Sequence, residues 1–192
     1  MRILLVDNYD SFTYIICHYL QMCGATEVVV IRNDDEYEEL TQECNALVLS
    51  PGPGLPEESG HLMEIIDRYH KSKPILGICL GHQAIAQYFG ADLLQLDTVC
   101  HGIPDTIEVE TSDILYHGLP SNFDVARYHS WTVNEDNLPK ELLVSGRDMK
   151  GRIMSLRHFS LPIYGVQYHP ESIMTSFGLQ IVRNWVDYVS QY

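Results

Sequence analysis

The sequence predicts an α/β fold: an open, mostly parallel twisted sheet with helices on both faces, plus a small antiparallel β region in the second half. Three observations lead there. Continuous apolar runs such as "ILLV", "EVVVI" and "ALVL" read as strands buried on both faces, the pattern of parallel sheets. Segments with helical apolar spacing stand between them, and alternating strands and helices imply crossover connections. After Gly90 the texture changes to short strand-like pieces separated by turn residues.

"RILLVD" is a buried strand with a polar tip. Asp10 and Ser11 are placed to cap a helix carrying Tyr14, Ile15, Cys17, His18 and Tyr19 and stopped by Gly24. "EVVVI" and "NALVLS" are the second and third strands, and the acidic "NDDEYEEL" between them reads as a solvated face. "ESGHLMEIIDRYHK" is a helix with Leu62, Ile65, Ile66 and Tyr69 on one side. "KPILGI" is the fourth strand, and "LGHQAIAQYFG" a helix stopped by Gly90. The strand-like pieces that follow are "ADLLQL", "DTIEVE", "FDVARYHSWTV", "ELLVSGRD", "RIMSLRHF" and "PIYGVQYH", with Gly146 to Gly151 as a hairpin tip. Phe177, Ile181, Trp185 and Val189 recur every four residues on a last helix, a stripe for core packing. No repeat, low-complexity tract or linker divides the chain, so residues 1–192 are expected to form one domain.

Composition narrows the function class. Twelve basic residues stand against 26 acidic ones, a net charge of −14, which argues against nucleic acid or an anionic membrane as partner. The five cysteines are odd in number and irregular in spacing, without Cys-x-x-Cys or zinc-ligand patterns, so thiols in a reducing cytoplasm are expected rather than disulfides or a metal site. The apolar opening is too short for a signal peptide, and no run approaches the roughly 18 apolar residues of a membrane span.

Cys79 is the residue that does not fit a purely structural reading. A lone cysteine is usually a small buried apolar residue. This one ends a strand inside "GICLG", between two glycines and ahead of a helix, the G-x-C-x-G form of a nucleophile elbow. A sharp strand-to-helix turn lifts the side chain clear of the sheet, and the helix N-terminus behind it stabilises a thiolate. A nucleophile needs a base and something to orient that base. "QYHPES" supplies His169 and Glu171, two residues apart and so on one side of an extended chain. Alone, such a pair would more often be a surface hydrogen bond. Within "SPGPG", the stretch Pro51-Gly52-Pro53-Gly54 carries a backbone N–H only at its glycines, and Gly52 with the Leu80 amide makes a donor pair for an oxyanion. In isolation that motif would be a proline-stiffened turn. Together the three pieces specify acyl transfer through a thioester.

"GICLGHQ", "SPGPG" and "QYHPES" resemble the three signature segments of the class I (triad-type) glutamine amidotransferases, and "DNYDSFTY" resembles the opening of the glutaminase subunits that serve chorismate-aminating synthases. The resemblance spans essentially the whole chain and implies a flavodoxin-like sheet. It implies that Cys79 attacks the amide carbon of L-glutamine, that His169 hands a proton to the departing ammonia, and that Glu171 orients His169. Gly52 and Leu80 would form the oxyanion hole. Gly52, Pro53, Gly54, Gln83, Ser130 and Trp131 match the family positions that bind glutamine, the last two through their backbone. His82 is expected to be structural. No cofactor or metal is implied. The partner implied is a separate chorismate-binding synthase subunit making anthranilate or 4-amino-4-deoxychorismate, in a heterodimer or heterotetramer.

Three positions depart from the family pattern: Ile15 stands where asparagine is usual, Trp131 where leucine is usual, and Ile103 where lysine is usual. The first and last are expected near the synthase. Two other readings are a different cysteine hydrolase on the same sheet, such as a γ-glutamyl hydrolase, and a catalytically silent module that only regulates its partner.

Overall fold

The computed structural model describes residues 1–192. Five strands, β1 (Arg2–Asp7), β2 (Glu27–Arg32), β3 (Ala46–Leu49), β4 (Ile75–Ile78) and β11 (Ile163–Val166), pair in parallel in the order β2-β1-β3-β4-β11. Between β4 and β11 in sequence lie β5 (Leu93–Gln95), β6 (Ile103–Val109), β7 (Asn122–Arg127), β8 (Trp131–Val133), β9 (Leu142–Asp148) and β10 (Ile153–His158). Of these, β10, β9, β6 and β7 continue the same sheet beyond β11, all antiparallel, to give nine strands in all. The antiparallel region is thus an extension of the main sheet, and only β5 and β8 form a ladder apart from it. Its seed is the hairpin β9–β10, turned around Met149–Gly151, whose second strand lies against β11.

Successive side chains of a strand point to opposite faces, and the core divides accordingly. Ile3 and Leu5 of β1 face α1 (Thr13–Met22) and α5 (Gly178–Val189), while Leu4 and Val6 face α2 (Glu38–Glu43), α3 (Leu62–Tyr69) and α4 (Leu80–Tyr88). Ile181, Trp185 and Val189 fill the first layer, and Leu62, Ile65, Ile66 and Tyr69 the second. Phe177 is only partly buried and meets Phe123 edge-on, ring centroids 5.6 Å apart. The acidic stretch keeps its carboxylates toward water, but Asn33 and Tyr37 turn inward and Glu38 begins α2.

The start of α1 departs from expectation. Phe12, not Asp10 or Ser11, holds the N-cap position, and no side chain caps it there. Asp10 instead accepts the Phe12 N–H (2.8 Å), and Asp7 accepts the Thr13 hydroxyl (2.7 Å), so the acids at the tip of β1 organise the turn from one residue further back. α3 covers the apolar stripe Leu62–Tyr69 but is shorter than the expected segment 58–71, and a separate 3₁₀ turn stands ahead of it at Pro56–Glu58. All five cysteines are free thiols, and no helix is long and apolar enough to cross a membrane.

Candidate active site

The carboxyl ends of β1, β3, β4 and β11 converge at one edge of the parallel sheet, where open α/β folds bind ligands. Cys79 sits between β4 and α4 with φ 52° and ψ −100°, a backbone state that costs a non-glycine residue about 1–3 kcal/mol. The surroundings enforce it. The Cys79 N–H donates to the Val166 carbonyl at 2.8 Å, and its own carbonyl accepts the Gln83 N–H at 3.1 Å. Gly81 lets α4 press onto β3: a Cβ there would lie 2.4 Å from the Leu49 carbonyl oxygen.

The chain leaves β11 through buried Gln167 and Tyr168 and brings in His169 and Glu171, which are 2% and 3% exposed. His169 Nδ1 lies 2.6 Å from Glu171 Oε1, and a carboxylate there takes the Nδ1 proton as its hydrogen bond. That leaves Nε2 as the unengaged ring nitrogen; it is buried and has no hydrogen-bond partner. Burial opposes charge on the ring, but the neighbouring Cys79 sulfur and the Glu171 carboxylate outweigh it, so the His169 pKa is raised above its ordinary value. The ring is walled by Tyr128 (4.8 Å between centroids) and Phe12 (5.6 Å), both edge-on.

The "SPGPG" turn follows β3. Asn8 at the end of β1 donates its N–H to the Ser50 hydroxyl (2.8 Å) and its side-chain amide to the Ser50 carbonyl (2.9 Å), while Asn33 donates to Asn8 Oδ1 (3.0 Å). This stitching brings Gly52 so close to Asn8 and Leu80 that a Cβ would lie 2.5 Å from Asn8 Cβ and 2.8 Å from Leu80 Cδ2. Gly52 and Leu80, expected as the donor pair, are therefore adjacent. The Gly52 N–H donates to no protein acceptor, and Leu80, first in α4, has no intrahelical carbonyl to bond. Pro53 and Gly54 stand exposed on the turn, with Gly54 at φ 75°.

Gln83 is buried one turn along α4. Its Nε2 donates to the Trp131 carbonyl at 2.9 Å and to Gln167 Oε1 at 3.1 Å, which leaves Gln83 Oε1 to accept from a ligand. Gln167 in turn points its own amide at Cys79 Sγ, 3.7 Å away. Trp131 is thus tied to Gln83 through its backbone carbonyl, while the carbonyl of Ser130 before it accepts the Leu96 N–H at 2.8 Å. The Trp131 side chain lines a neighbouring groove of about 450 Å³ with Leu55, Gln87 and Asp92. His82 lies fully buried against Gly165 with neither ring nitrogen hydrogen-bonded, and burial lowers its pKa to about 3.

Residue patterns alone did not single out Asn8, Phe12, Tyr128, Gln167 or Thr175. Asn8, Phe12 and Gln167 lie inside signature stretches, which was their only signal; the others reach the site through non-local packing. Ile15 and Ile103 are exposed, along with Tyr9, Tyr14 and the almost fully exposed Ile173. A groove of about 660 Å³ lies at the opposite end of the sheet, bordered by Met1, Asn45 and Pro74 just before β1, β3 and β4.

Known proteins share both the sequence and this architecture. Residues 4–188 match the family model described as glutamine amidotransferase class-I. The chain is 46% identical to the aminodeoxychorismate/anthranilate synthase component 2 of Bacillus subtilis, covering 96% of this chain and 95% of that one. It is 42% identical to the anthranilate synthase component 2 of Mycobacterium tuberculosis, over 97% of this chain and 82% of the relative. Among solved structures, a Thermoplasma acidophilum protein described as a putative GMP synthase subunit superposes with a TM-score of 0.89 at 30% identity, covering 100% of this chain and 95% of that one. A family model spanning nearly all residues, full-length relatives and a matching fold give one conclusion: this chain belongs to the class-I glutamine amidotransferases.

Proposed function

We propose that this protein is the glutaminase subunit of a chorismate-using synthase. It hydrolyses L-glutamine to glutamate and ammonia and delivers the ammonia to a separate subunit that makes anthranilate or 4-amino-4-deoxychorismate. The observation that carries the reading is the strained cysteine between β4 and α4, set beside the buried His169–Glu171 pair.

The chemistry follows from those positions. The Cys79 thiolate attacks the side-chain amide carbon of glutamine, and the carbonyl oxygen becomes an oxyanion that the Gly52 and Leu80 N–H groups stabilise. His169, held by Glu171, gives its proton to the amide nitrogen, the C–N bond breaks and ammonia leaves a γ-glutamyl thioester. Water then adds to the thioester carbonyl and gives a proton to His169. The C–S bond breaks, releasing glutamate and the thiolate. Gln83 Oε1, the turn at Gly52 to Gly54 and the backbone of Ser130 and Trp131 hold the amino-acid end. Every step uses groups of this chain, so the reading assigns it no cofactor.

Exposed Tyr9, Tyr14, Ile15 and Ile173 lie on loops and a helix start that follow the strand ends around Cys79, and Ile103 opens β6. Exposed apolar side chains beside a reactive thiol suit docking of the ammonia-using subunit. Five free cysteines suit a cytoplasmic protein. The test is to co-purify the chain with its synthase and measure glutamate release and the aminated product formed from chorismate and glutamine. The wild-type pair is expected to make both and the Cys79→Ser pair neither. A wild-type pair that leaves glutamine intact overturns the reading.

A further inference from the structure

A buried polar chain runs beside the site and takes no part in the chemistry above. It begins at Arg127 on β7, 3% exposed, whose Nη1 bonds to Asp105 on β6 and to Asp148 on β9 (2.9 Å). Arg127 Nε donates to His129 Nε2 at 3.1 Å. A guanidinium has no acceptor and keeps its protons, so His129 Nε2 must present its lone pair and the ring proton must sit on Nδ1. Nδ1–H then donates to the Trp131 carbonyl at 2.7 Å. Burial and the Arg127 charge lower the His129 pKa to about 4, which keeps the ring neutral.

The Trp131 carbonyl therefore holds two donors, His129 Nδ1 and Gln83 Nε2, one for each lone pair. The two preceding carbonyls are also taken: that of His129 by the Cys100 N–H (3.0 Å) and that of Ser130 by the Leu96 N–H (2.8 Å). Every carbonyl of residues 129–131 is thus engaged by a protein donor, that of Trp131 on both lone pairs, which leaves the backbone N–H groups as what this segment turns to a ligand.

We propose that Arg127 and His129 are positioning residues of the glutamine site. Arg127 fixes the His129 tautomer, and His129 together with Gln83 clamps the Trp131 carbonyl, so that this peptide turns its N–H side rather than its carbonyl to the substrate. This rests on the glutaminase reading. With the other tautomer, the Nδ1 lone pair would face the Trp131 carbonyl. The peptide would turn, presenting an acceptor to the amino-acid end and releasing Gln83, which through Gln167 is coupled to Cys79.

The test uses two near-isosteric variants of the full chain in complex with its synthase. In His129→Asn the side-chain amide lies near the Nδ1 position and keeps the donor to Trp131. In His129→Gln the amide reaches the Nε2 position and keeps only the partner of Arg127. His129→Gln is expected to raise the glutamine KM about tenfold with kcat within about threefold, and His129→Asn to stay within about threefold of the wild-type KM. The same order is expected for glutamine Kd in the Cys79→Ser background. Equal shifts in the two variants, the reverse order, or an effect on kcat alone overturn the proposal. Nitrogen-15 NMR of the wild-type protein reads the tautomer without turnover. A neutral Nδ1–H ring from about pH 5.5 to 8 supports the proposal, and an Nε2–H ring refutes it. A wild-type complex that does not hydrolyse glutamine refutes the glutaminase reading instead, while the tautomer and the Kd order still decide this one.

Discussion

Thr175 holds His169 by its backbone: its hydroxyl donates to the His169 carbonyl at 2.6 Å and accepts the Ala126 N–H at 3.0 Å. The His169 N–H in turn donates to the Ala126 carbonyl at 3.1 Å. One residue of β7 thus anchors the proposed base on both sides, and its neighbour Arg127 anchors the segment proposed to bind glutamine. β7 is an edge strand, and the His169 segment satisfies part of its open side.

Thr175→Val keeps the shape and removes both hydrogen bonds, leaving the Ala126 N–H without its acceptor and the His169 carbonyl with the Ser172 N–H (3.2 Å) as its remaining donor. The expected cost is about 1–3 kcal/mol of stability, with kcat for glutamine hydrolysis reduced about tenfold as the imidazole drifts. Thr175→Ser retains the bridge and should restore most of both. Denaturant midpoints and steady-state assays on the two variants check this, and a Val variant with wild-type kcat would remove Thr175 from the site.

The φ of 52° at Cys79 implies a trade of stability for reactivity. Cys79→Ala and Cys79→Gly should both be inactive. Glycine releases the backbone strain and loses some of that gain to its freer unfolded chain, so it should be the more stable of the two by about 1 kcal/mol. Urea melts of the pair decide it; an Ala variant as stable as the Gly variant would mean the turn is unstrained.

Gly52→Ala would force a Cβ into Asn8 and Leu80. Displacing one oxyanion donor lowers kcat by about 10²–10³-fold, and the overpacking costs about 1–3 kcal/mol. The rate of Cys79 alkylation by iodoacetamide needs no oxyanion hole and should change far less than kcat. Equal losses in alkylation and turnover would count against the donor role.

Acid stability should report His82. Burial lowers its folded pKa to about 3, below the unfolded value of roughly 6.5. The unfolded chain then binds a proton that the folded chain refuses, so stability is intact above that unfolded value and is lost as pH falls toward the folded one. The share of this one group is about 1.4 kcal/mol per pH unit within the window. His82→Met removes the group without breaking a hydrogen bond, so its stability should fall less steeply between about pH 6 and 4. Parallel slopes for the two proteins would show that His82 takes up protons in the folded state.

Much of the site was legible because its chemistry is local. The elbow needs glycines beside Cys79, the base needs a carboxylate two residues on, and a donor turn needs glycine at position 52; each constraint occupies a few adjacent residues. The supporting parts were not legible. Asn8 matters because β1 and β3 are neighbours, Phe12 and Tyr128 because they close over His169, and Gln167 because β11 returns beside β4. Asp10 and Ser11 looked like helix caps by type, yet Asp7 and Asp10 bind the turn from behind and leave Phe12 in the cap position.

The sequence by itself determined the alternation of buried strands and helices, the two-sided core and the choice of candidate reactive groups, because these follow from apolar periodicity and from residue types that few other tasks require. Tertiary structure alone decided that the antiparallel strands extend the main sheet, that Gly52 lies against Leu80, and that Arg127 dictates the proton position on His129. Each of those depends on strands far apart in the chain becoming neighbours, and pairing between distant strands is set by the energy of the whole packed sheet rather than by any short stretch of residues.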